Sequence, residues 1–206
     1  MKVRGVELEL HKDEALSNAI RRDNDFFEFE VLDFIRDFFP VQRVVIDIGA
    51  NIGNHAVYFA NFLKFYEYII CFEPVPENYA ILVKNLEGYK GIYMYNCALS
   101  DKTQMLKMSV NRGNMGASAV QSDGELLVQA FSLDRLYYKN VTLIKIDVEE
   151  YEPQVLDGAQ DTIAKWKPLI IIEDWHNKYE ELLPKGYQCI KGWEVGKTYI
   201  YEWKGE

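Results

Sequence analysis

The stretch that most constrains this chain is Val44-Val45-Ile46-Asp47-Ile48-Gly49-Ala50-Asn51-Ile52-Gly53-Asn54-His55. An apolar, β-branched run carries an acid near its end, a Gly-Ala-Asn-Ile-Gly turn follows, and a helical pattern begins. A buried strand that delivers its C-terminal end to a glycine turn and a helix N-terminus builds a nucleotide cradle. Gly49 and Gly53 let backbone approach a ligand with no Cβ in the way. Asn51 tolerates a left-handed backbone better than most residues.

A second acid closes the next apolar strand, in Tyr68-Ile69-Ile70-Cys71-Phe72-Glu73-Pro74. Glu73 lies close to the roughly 20-residue spacing expected of a ribose-binding acid. The pattern suits a dinucleotide or S-adenosylmethionine. A dinucleotide fingerprint wants G-x-G-x-x-G, so that a pyrophosphate can sit on the helix N-terminus. Here the order is Gly49-x-Asn51-x-Gly53, and Asn54 stands where the third glycine belongs. Asp47 sits beside the turn, where a negative charge suits a cationic amino group better than a pyrophosphate. The aminoacyl nucleoside is therefore favoured over a nicotinamide cofactor.

Along the chain, the opening segment to Asn24 is polar and mixed. Phe26 to Phe39 has one apolar face at helical spacing and is ended by Pro40. Strands are expected over 41–48, 67–72, 91–97, 141–148 and 168–173. Helices are expected over 53–64, 76–86 and 153–165, with a short helical stretch after Trp175-His176. A strand pair over 187–190 and 197–203 should close the sheet edge. Strands alternating with helices imply right-handed βαβ crossovers and a mostly parallel sheet. Strand-like runs at 104–110 and 125–133 break the rhythm. They flank a polar loop, Asn111-Arg112-Gly113-Asn114-Met115-Gly116-Ala117-Ser118, and Asn114 and Met115 become candidates for a substrate wall or lid. The expected organisation is one domain over 1–206, with an N-terminal helical cap over 1–40 and an insertion at 104–133.

A second constellation is Leu143-Ile144-Lys145-Ile146-Asp147-Val148-Glu149-Glu150-Tyr151-Glu152. Ligands of a parallel sheet bind at the carboxyl ends of its strands. A lysine and an acid inside such a strand are costly to bury without partners, so they face a ligand or each other. The fifth strand repeats the theme in Leu169-Ile170-Ile171-Ile172-Glu173-Asp174-Trp175-His176. Asp147, Glu149, Glu173 and His176 can supply a general base, or ligands for Mg²⁺ or Mn²⁺. His176 is the first choice of base, because an imidazole titrates near neutral pH. Trp175 offers an aromatic face to the apolar patches of a sugar ring.

Bulk properties narrow the class. The chain has 206 residues, enough for a sizeable core. Its formal charge of −9 disfavours nucleic acid, whose recognition normally needs a basic surface. No apolar run approaches the roughly 20 residues of a membrane span, and the N-terminus lacks the apolar core of a signal peptide. Cys71, Cys97 and Cys189 are widely spaced, with neither a disulfide framework nor zinc spacing. A reducing, cytoplasmic setting is expected, with a small-molecule acceptor and no membrane or nucleic-acid partner; the oligomeric state stays open.

Taken together, the stretches at 46–55 and 144–149, Phe72-Glu73-Pro74-Val75-Pro76-Glu77-Asn78-Tyr79, Asn96-Cys97-Ala98-Leu99-Ser100, Ser132-Leu133-Asp134 and Val155-Leu156-Asp157-Gly158-Ala159 resemble the FkbM-type S-adenosylmethionine-dependent methyltransferases. The similarity runs from about Phe26 to Asp174. It implies a class I methyltransferase fold, an α/β doubly wound, Rossmann-like architecture. Its seven-stranded, mostly parallel sheet has an antiparallel last strand and helices on both faces. It implies O-methylation of a hydroxyl, often on a sugar or polyketide-type product. By the same resemblance Asp47, Gly49, Asn51, Gly53 and Asn54, with Ala50 and His55 in the same turn, hold the methionine half of the cofactor. Glu73 takes the ribose hydroxyls, and Asn96 and Ala98 the adenine side. Lys145, Asp147, Glu149 and Glu173 line the reaction end. The family pattern is Lys-x-Asp-x-Glu-Gly-x-Glu, and Glu150 stands here in place of that glycine. A nicotinamide oxidoreductase and a non-catalytic S-adenosylmethionine-binding protein remain the rival readings. A nucleic-acid amino-methyltransferase is disfavoured, because no Asp/Asn-Pro-Pro-aromatic motif follows the fourth strand.

Overall fold

The computed structural model, which describes residues 1–175, 178–194 and 196–205, sorts alternate apolar residues onto the two faces of one large sheet. The chain opens with a hairpin of β1 (Lys2–Val3) and β2 (Val6–Glu7), then α1 (Ala15–Asp23) and α2 (Phe29–Phe38). The core follows as β3 (Val44–Ile48), α3 (Asn54–Phe62), β4 (Tyr68–Phe72), α4 (Pro76–Leu86) and β5 (Ile92–Tyr95). Next come β6 (Ala98–Leu99), β7 (Gln104–Ser109), β8 (Ala119–Val120), β9 (Leu126–Phe131) and β10 (Val141–Ile146). The chain continues through α5 (Glu152–Asp157), α6 (Gln160–Trp166), β11 (Leu169–Glu173), β12 (Tyr187–Trp193) and β13 (Thr198–Trp203).

Among the described residues the large sheet has the order β12-β13-β11-β10-β3-β4-β5. The strands β11, β10, β3, β4 and β5 pair in parallel, while β13 runs antiparallel to both of its neighbours. The antiparallel strand is therefore not outermost: it lies between β11 and the edge strand β12. A second, four-stranded sheet of order β6-β9-β7-β8 also departs from a single-sheet expectation. Its strands β7 and β9 are the strand-like runs that broke the βα rhythm, and β6 and β8 lie outside those runs.

Parity explains why one strand set feeds two cores. Val45, Ile69, Cys71, Leu143 and Ile171 pack on one face, under α1 to α4. Ile46, Ile48, Ile70, Phe72, Ile144 and Ile172 pack on the other, under α5 and α6. Two boundaries differ from expectation for local reasons. The polar opening segment holds α1, capped by Glu14, whose side chain accepts from the Leu16 and Ser17 amides. Only Ser17 and Ile20 of that helix are buried, so its apolar signal is weak. The helix expected over 153–165 is broken into α5 and α6 at Gly158-Ala159. A Cβ on Gly158 would stand 2.0 Å from the Ser100 carbonyl oxygen, so the small sheet docks there against bare backbone.

Gly158→Ala should therefore lower stability by roughly 2 kcal/mol, as overpacking does, and lower the thermal midpoint by about 4–8 °C. Circular dichroism melts check this; an unchanged midpoint would show that the contact gives way freely.

Candidate active site

A cavity of about 570 Å³ opens at the carboxyl ends of β3, β4, β10 and β11. That is the crevice where ligands of an open α/β sheet bind, and the size falls within the usual range for a small-molecule site. Its floor is the turn after β3. Gly49, Asn51 and Gly53 all have positive φ, at 75°, 50° and 87°. A Cβ on Gly49 would stand 1.9 Å from the Asp147 carbonyl oxygen, so only glycine lets the turns after β3 and β10 approach this closely. The Gly49 and Ala50 amides donate to the Phe72 carbonyl, each at 3.0 Å, tying the turn to β4.

Glu73 enters the cavity from the end of β4 and is 4 % exposed. Its carboxylate accepts from the Asn51 amide at 2.8 Å and the Val75 amide at 2.9 Å. Burial outweighs those bonds and pushes its pKa up to about 7. Asp147, Glu149 and Glu173 also line the cavity, each offering a carboxylate oxygen within 4.8 Å of the others. Burial first, then repulsion from Asp147 and its acidic neighbours, raises Glu149 to about 7. Burial with Asp147 and Glu149 raises Glu173 to about 9, while a hydrogen bond with Trp175 pulls it back. The Glu173 Oε2 atom is buried without a hydrogen-bond partner. Such hard oxygen donors suit a divalent cation, and they suit an ammonium group equally.

Lys145 lies beneath this wall, 4 % exposed. Its Nζ reaches Asp147 Oδ2 at 3.1 Å, Asp47 Oδ1 at 3.5 Å and the Gly49 carbonyl at 2.9 Å. Burial alone would lower its pKa, but the two carboxylates raise it above the usual lysine value and keep it charged. Asp47 is fully buried, and its β3 position pairs in register with Lys145 on β10.

The residues singled out in the sequence separate into three groups. Gly49, Asn51, Glu73, Ala98, Asn114, Met115, Asp147, Glu149, Glu173 and Trp175 all line the cavity. Asp47, Ala50, Gly53, Asn54, His55, Asn96 and Lys145 lie outside its lining. Asn54 exchanges two 3.0 Å hydrogen bonds with the Phe27 backbone, and His55 Nε2 sits 3.2 Å from Glu28 Oε2. Asn96 Nδ2 donates to the Glu73 and Pro74 carbonyls and braces that turn. His176 lies outside the described residues. Sequence reasoning missed Ala15, Leu16 and Phe27 as walls of the cavity. The apolar pair Phe26-Phe27 ahead of a helix was their only signal.

Glu150 also lines the cavity, and it follows Glu149 in the left-handed region, with φ of 69° after 56°. Glu152 fixes this turn, its Oε1 accepting from the Val148 amide at 2.9 Å. Glu150, standing where the related pattern has glycine, adopts a backbone that glycine reaches more easily, and does so at a steric cost. Opposite, the Asn111–Ser118 loop closes the cavity through Met115, which is buried against the small sheet.

A family model described as the methyltransferase FkbM domain matches residues 47–190. The chain is 27 % identical over 188 residues to Methyltransferase 1 of Beauveria bassiana, spanning 76 % of this chain and 74 % of that protein. It is 24 % identical over 164 residues to the 2-O-methyltransferase NoeI of Sinorhizobium fredii, spanning 68 % and 67 %. The crystal structure of a methyltransferase FkbM from Methylobacillus flagellatus superposes with a TM-score of 0.59 at 21 % identity, covering 78 % of this chain and 43 % of that one. The chain thus spans under half the length of that structure. The putative methyltransferase yhhF of Escherichia coli superposes at 0.57 with 12 % identity, over 98 % and 94 %. Both superpositions are likenesses of fold.

Two measurements follow from the site. Glu150→Gly should stabilise by about 1 kcal/mol, because glycine adopts positive φ without a Cβ clash, and raise the midpoint by about 2–4 °C. A lower midpoint would mean that the side chain, not the backbone, dominates. Glu73 holds its proton to about pH 7 when folded, against an ordinary value of 4.5. The folded state therefore binds more protons between those values, and stability falls as pH rises through that window. Melts from pH 4.5 to 8 should show a shallower decline in Glu73→Gln than in the parent; equal slopes would remove Glu73 as a source.

Proposed function

The chain belongs to the FkbM methyltransferase family, and from that premise we propose that it transfers the methyl group of S-adenosylmethionine to a hydroxyl of a sugar, glycan or similar polyhydroxylated product. The observation that carries this reading is the lining of the cavity. Glu73 meets the Gly49–Gly53 turn there, four further carboxyl groups share the lining, and no Lys, Arg or His is among the described lining residues. A pyrophosphate on the helix N-terminus wants G-x-G-x-x-G, and Asn54 in place of the third glycine disfavours a nicotinamide cofactor. The turn fits an aminoacyl nucleoside: Gly49 and Asn51 would hold the methionine half, Glu73 the ribose hydroxyls, and Ala98 with Cys97 and Leu99 the adenine. Asp47, Ala50, Gly53, Asn54, His55 and Asn96 would support that cradle from behind. The relative NoeI is a 2-O-methyltransferase, which supports oxygen as the acceptor atom.

The bound cofactor would supply an electrophilic methyl group. The chain's own task is to place an acceptor oxygen in line with it, and positioning of this kind can account for about 7–11 kcal/mol of a barrier. Phe27 and Trp175 would press on the apolar faces of the acceptor, while Asn114 and Met115 close the chamber against water. Lys145 holds Asp147 in place. Glu173 would take the hydroxyl proton at Oε2, the oxygen with no partner. Its carboxyl must first ionise, so turnover should climb with pH toward about 9. A divalent cation on Asp147, Glu149 and Glu173 is the other way to acidify the hydroxyl. His176, outside the described residues, is the competing base. The setting we propose is cytoplasmic; among the described residues no helix is long and apolar enough to cross a membrane, and Cys71, Cys97 and Cys189 are free.

Glu173→Gln should keep S-adenosylhomocysteine affinity by calorimetry yet lose about 10²–10⁴-fold in turnover, with a flattened alkaline limb. If Glu173→Gln turns over normally and His176→Ala does not, His176 is the base. No S-adenosylhomocysteine binding by folded protein would sink the cofactor assignment.

A further inference from the structure

We infer that His11, in the segment ahead of α1, is a positioning residue for the cofactor: through Asn78 it holds the Glu73 carboxylate as the acceptor for the ribose hydroxyls. This rests on the methyltransferase reading above, in which Glu73 takes those hydroxyls.

The bridge starts from two asparagines of α4. Asn78 and Asn85 stand two helical turns apart and so share one face of that helix. Both are buried, and a buried amide is costly unless its donors and its acceptor are met. Asn85 clasps the backbone of Glu9, accepting from its amide at 2.6 Å and donating to its carbonyl at 3.0 Å. Its Nδ2 also donates to the Ile52 carbonyl at 2.7 Å, which ties the segment to the turn after β3. Close by, Arg21 donates to the His11 carbonyl at 2.5 Å. The backbone that carries the imidazole is therefore held at Glu9 and again at His11.

Asn78 carries that order to Glu73. Its Oδ1 lies 2.8 Å from His11 Nε2, and its Nδ2 donates to Glu73 Oε1 at 3.4 Å. The direction of these bonds follows from Glu73. The Val75 amide donates to Oε1 and the Asn51 amide to Oε2, so both oxygens act as acceptors. Asn78 thus meets Oε1 with its amide nitrogen and turns its carbonyl to His11, which must then carry a hydrogen on Nε2. Without His11, the Asn78 amide loses the partner that fixes which end faces Glu73. A flipped amide would set oxygen against oxygen and disfavour the ionised carboxylate, the form that accepts from two hydroxyls. Burial already pushes Glu73 toward its protonated form, while Asn78 and the two amides pull it back. His11 lies outside the cavity lining, so it acts through Asn78 and not on the ligand.

The test measures, by calorimetry, the affinity of the whole chain for S-adenosylhomocysteine and for its dideoxyribose analogue, which lacks the hydroxyls that Glu73 would hold. His11→Ala should weaken S-adenosylhomocysteine about fivefold, the scale of one net hydrogen bond, and leave the dideoxyribose analogue within about 1.5-fold. His11→Gln offers an N–H donor at similar reach and should bring S-adenosylhomocysteine back to within about twofold of the parent. Equal losses for the two ligands would make His11 a structural part of the segment and overturn the inference; so would no loss for either. A second measurement needs no substitution. NMR of the imidazole nitrogens should find the neutral His11 ring as the Nε2–H tautomer, and an Nδ1–H ring would overturn the bridge. A parent protein that binds both ligands alike would remove Glu73 from the ribose and the inference with it. Binding of neither would sink the cofactor assignment itself.

Discussion

One buried ammonium group holds the floor of this site together. Lys145 Nζ lies between Asp47 on β3 and Asp147 just past β10, and it also donates to the Gly49 carbonyl. A charge placed at 4 % exposure costs several kcal/mol in desolvation, and the cost is offset only where good partners surround it. Each member of this set depends on the others. Asp47 is fully buried with neither oxygen in a hydrogen bond, so Lys145 is its compensating charge. Gly49 must be glycine for its turn to pass the Asp147 carbonyl, and that close passage brings its own carbonyl within reach of Lys145. The position of Asp147 at the cavity wall is thus set from below, by Lys145 and Asp47, which lie outside the cavity lining.

A second set of ties joins the helix after the glycine turn to the N-terminal segment. Asn54 clasps the backbone of Phe27, and His55 faces Glu28, which also accepts from the Thr198 hydroxyl. Thr198 is in turn the register partner of Glu173. The contacts run from the end that would cradle a cofactor, through the wall formed by Phe27, to the strand that carries Glu173. A shift of the N-terminal segment would therefore be felt at both ends of the cavity.

Much of this was legible in the sequence, for physical reasons that also explain the gaps. The strands β3, β4, β10 and β11 are apolar on both faces, and parity alone sorts their residues into two cores. The Gly49–Gly53 turn and Glu73 were legible because positive φ and a strand-end acid leave marks on residue choice. Lys145 read as facing either a ligand or another charge, since a charge at a strand end looks the same in both cases; register brings it to Asp47, and it pairs with Asp47 and Asp147. Asn54 and His55 sit in a motif but turn toward the N-terminal segment, which no local pattern encodes. Leu16 and Phe27 reach the cavity only through long-range packing of helices whose own apolar signal is thin. The break between α5 and α6 depends on a carbonyl of Ser100, far away in sequence.

The placement of β13 has a consequence for how the molecule is made. This strand follows both of its neighbours in the chain, yet it lies inside the sheet, between β12 and β11. A ribosome that has released everything up to β12 has produced a sheet whose β11 edge is still open. The hydrogen-bonding groups of Ile170 to Glu173 then have no neighbour on that side. An open, apolar strand edge is a template for unwanted pairing with other chains. The rim that carries Glu173 is thus sealed only once β13 has been made, and a nascent chain stalled short of Thr198 would present it to chaperones or to aggregation.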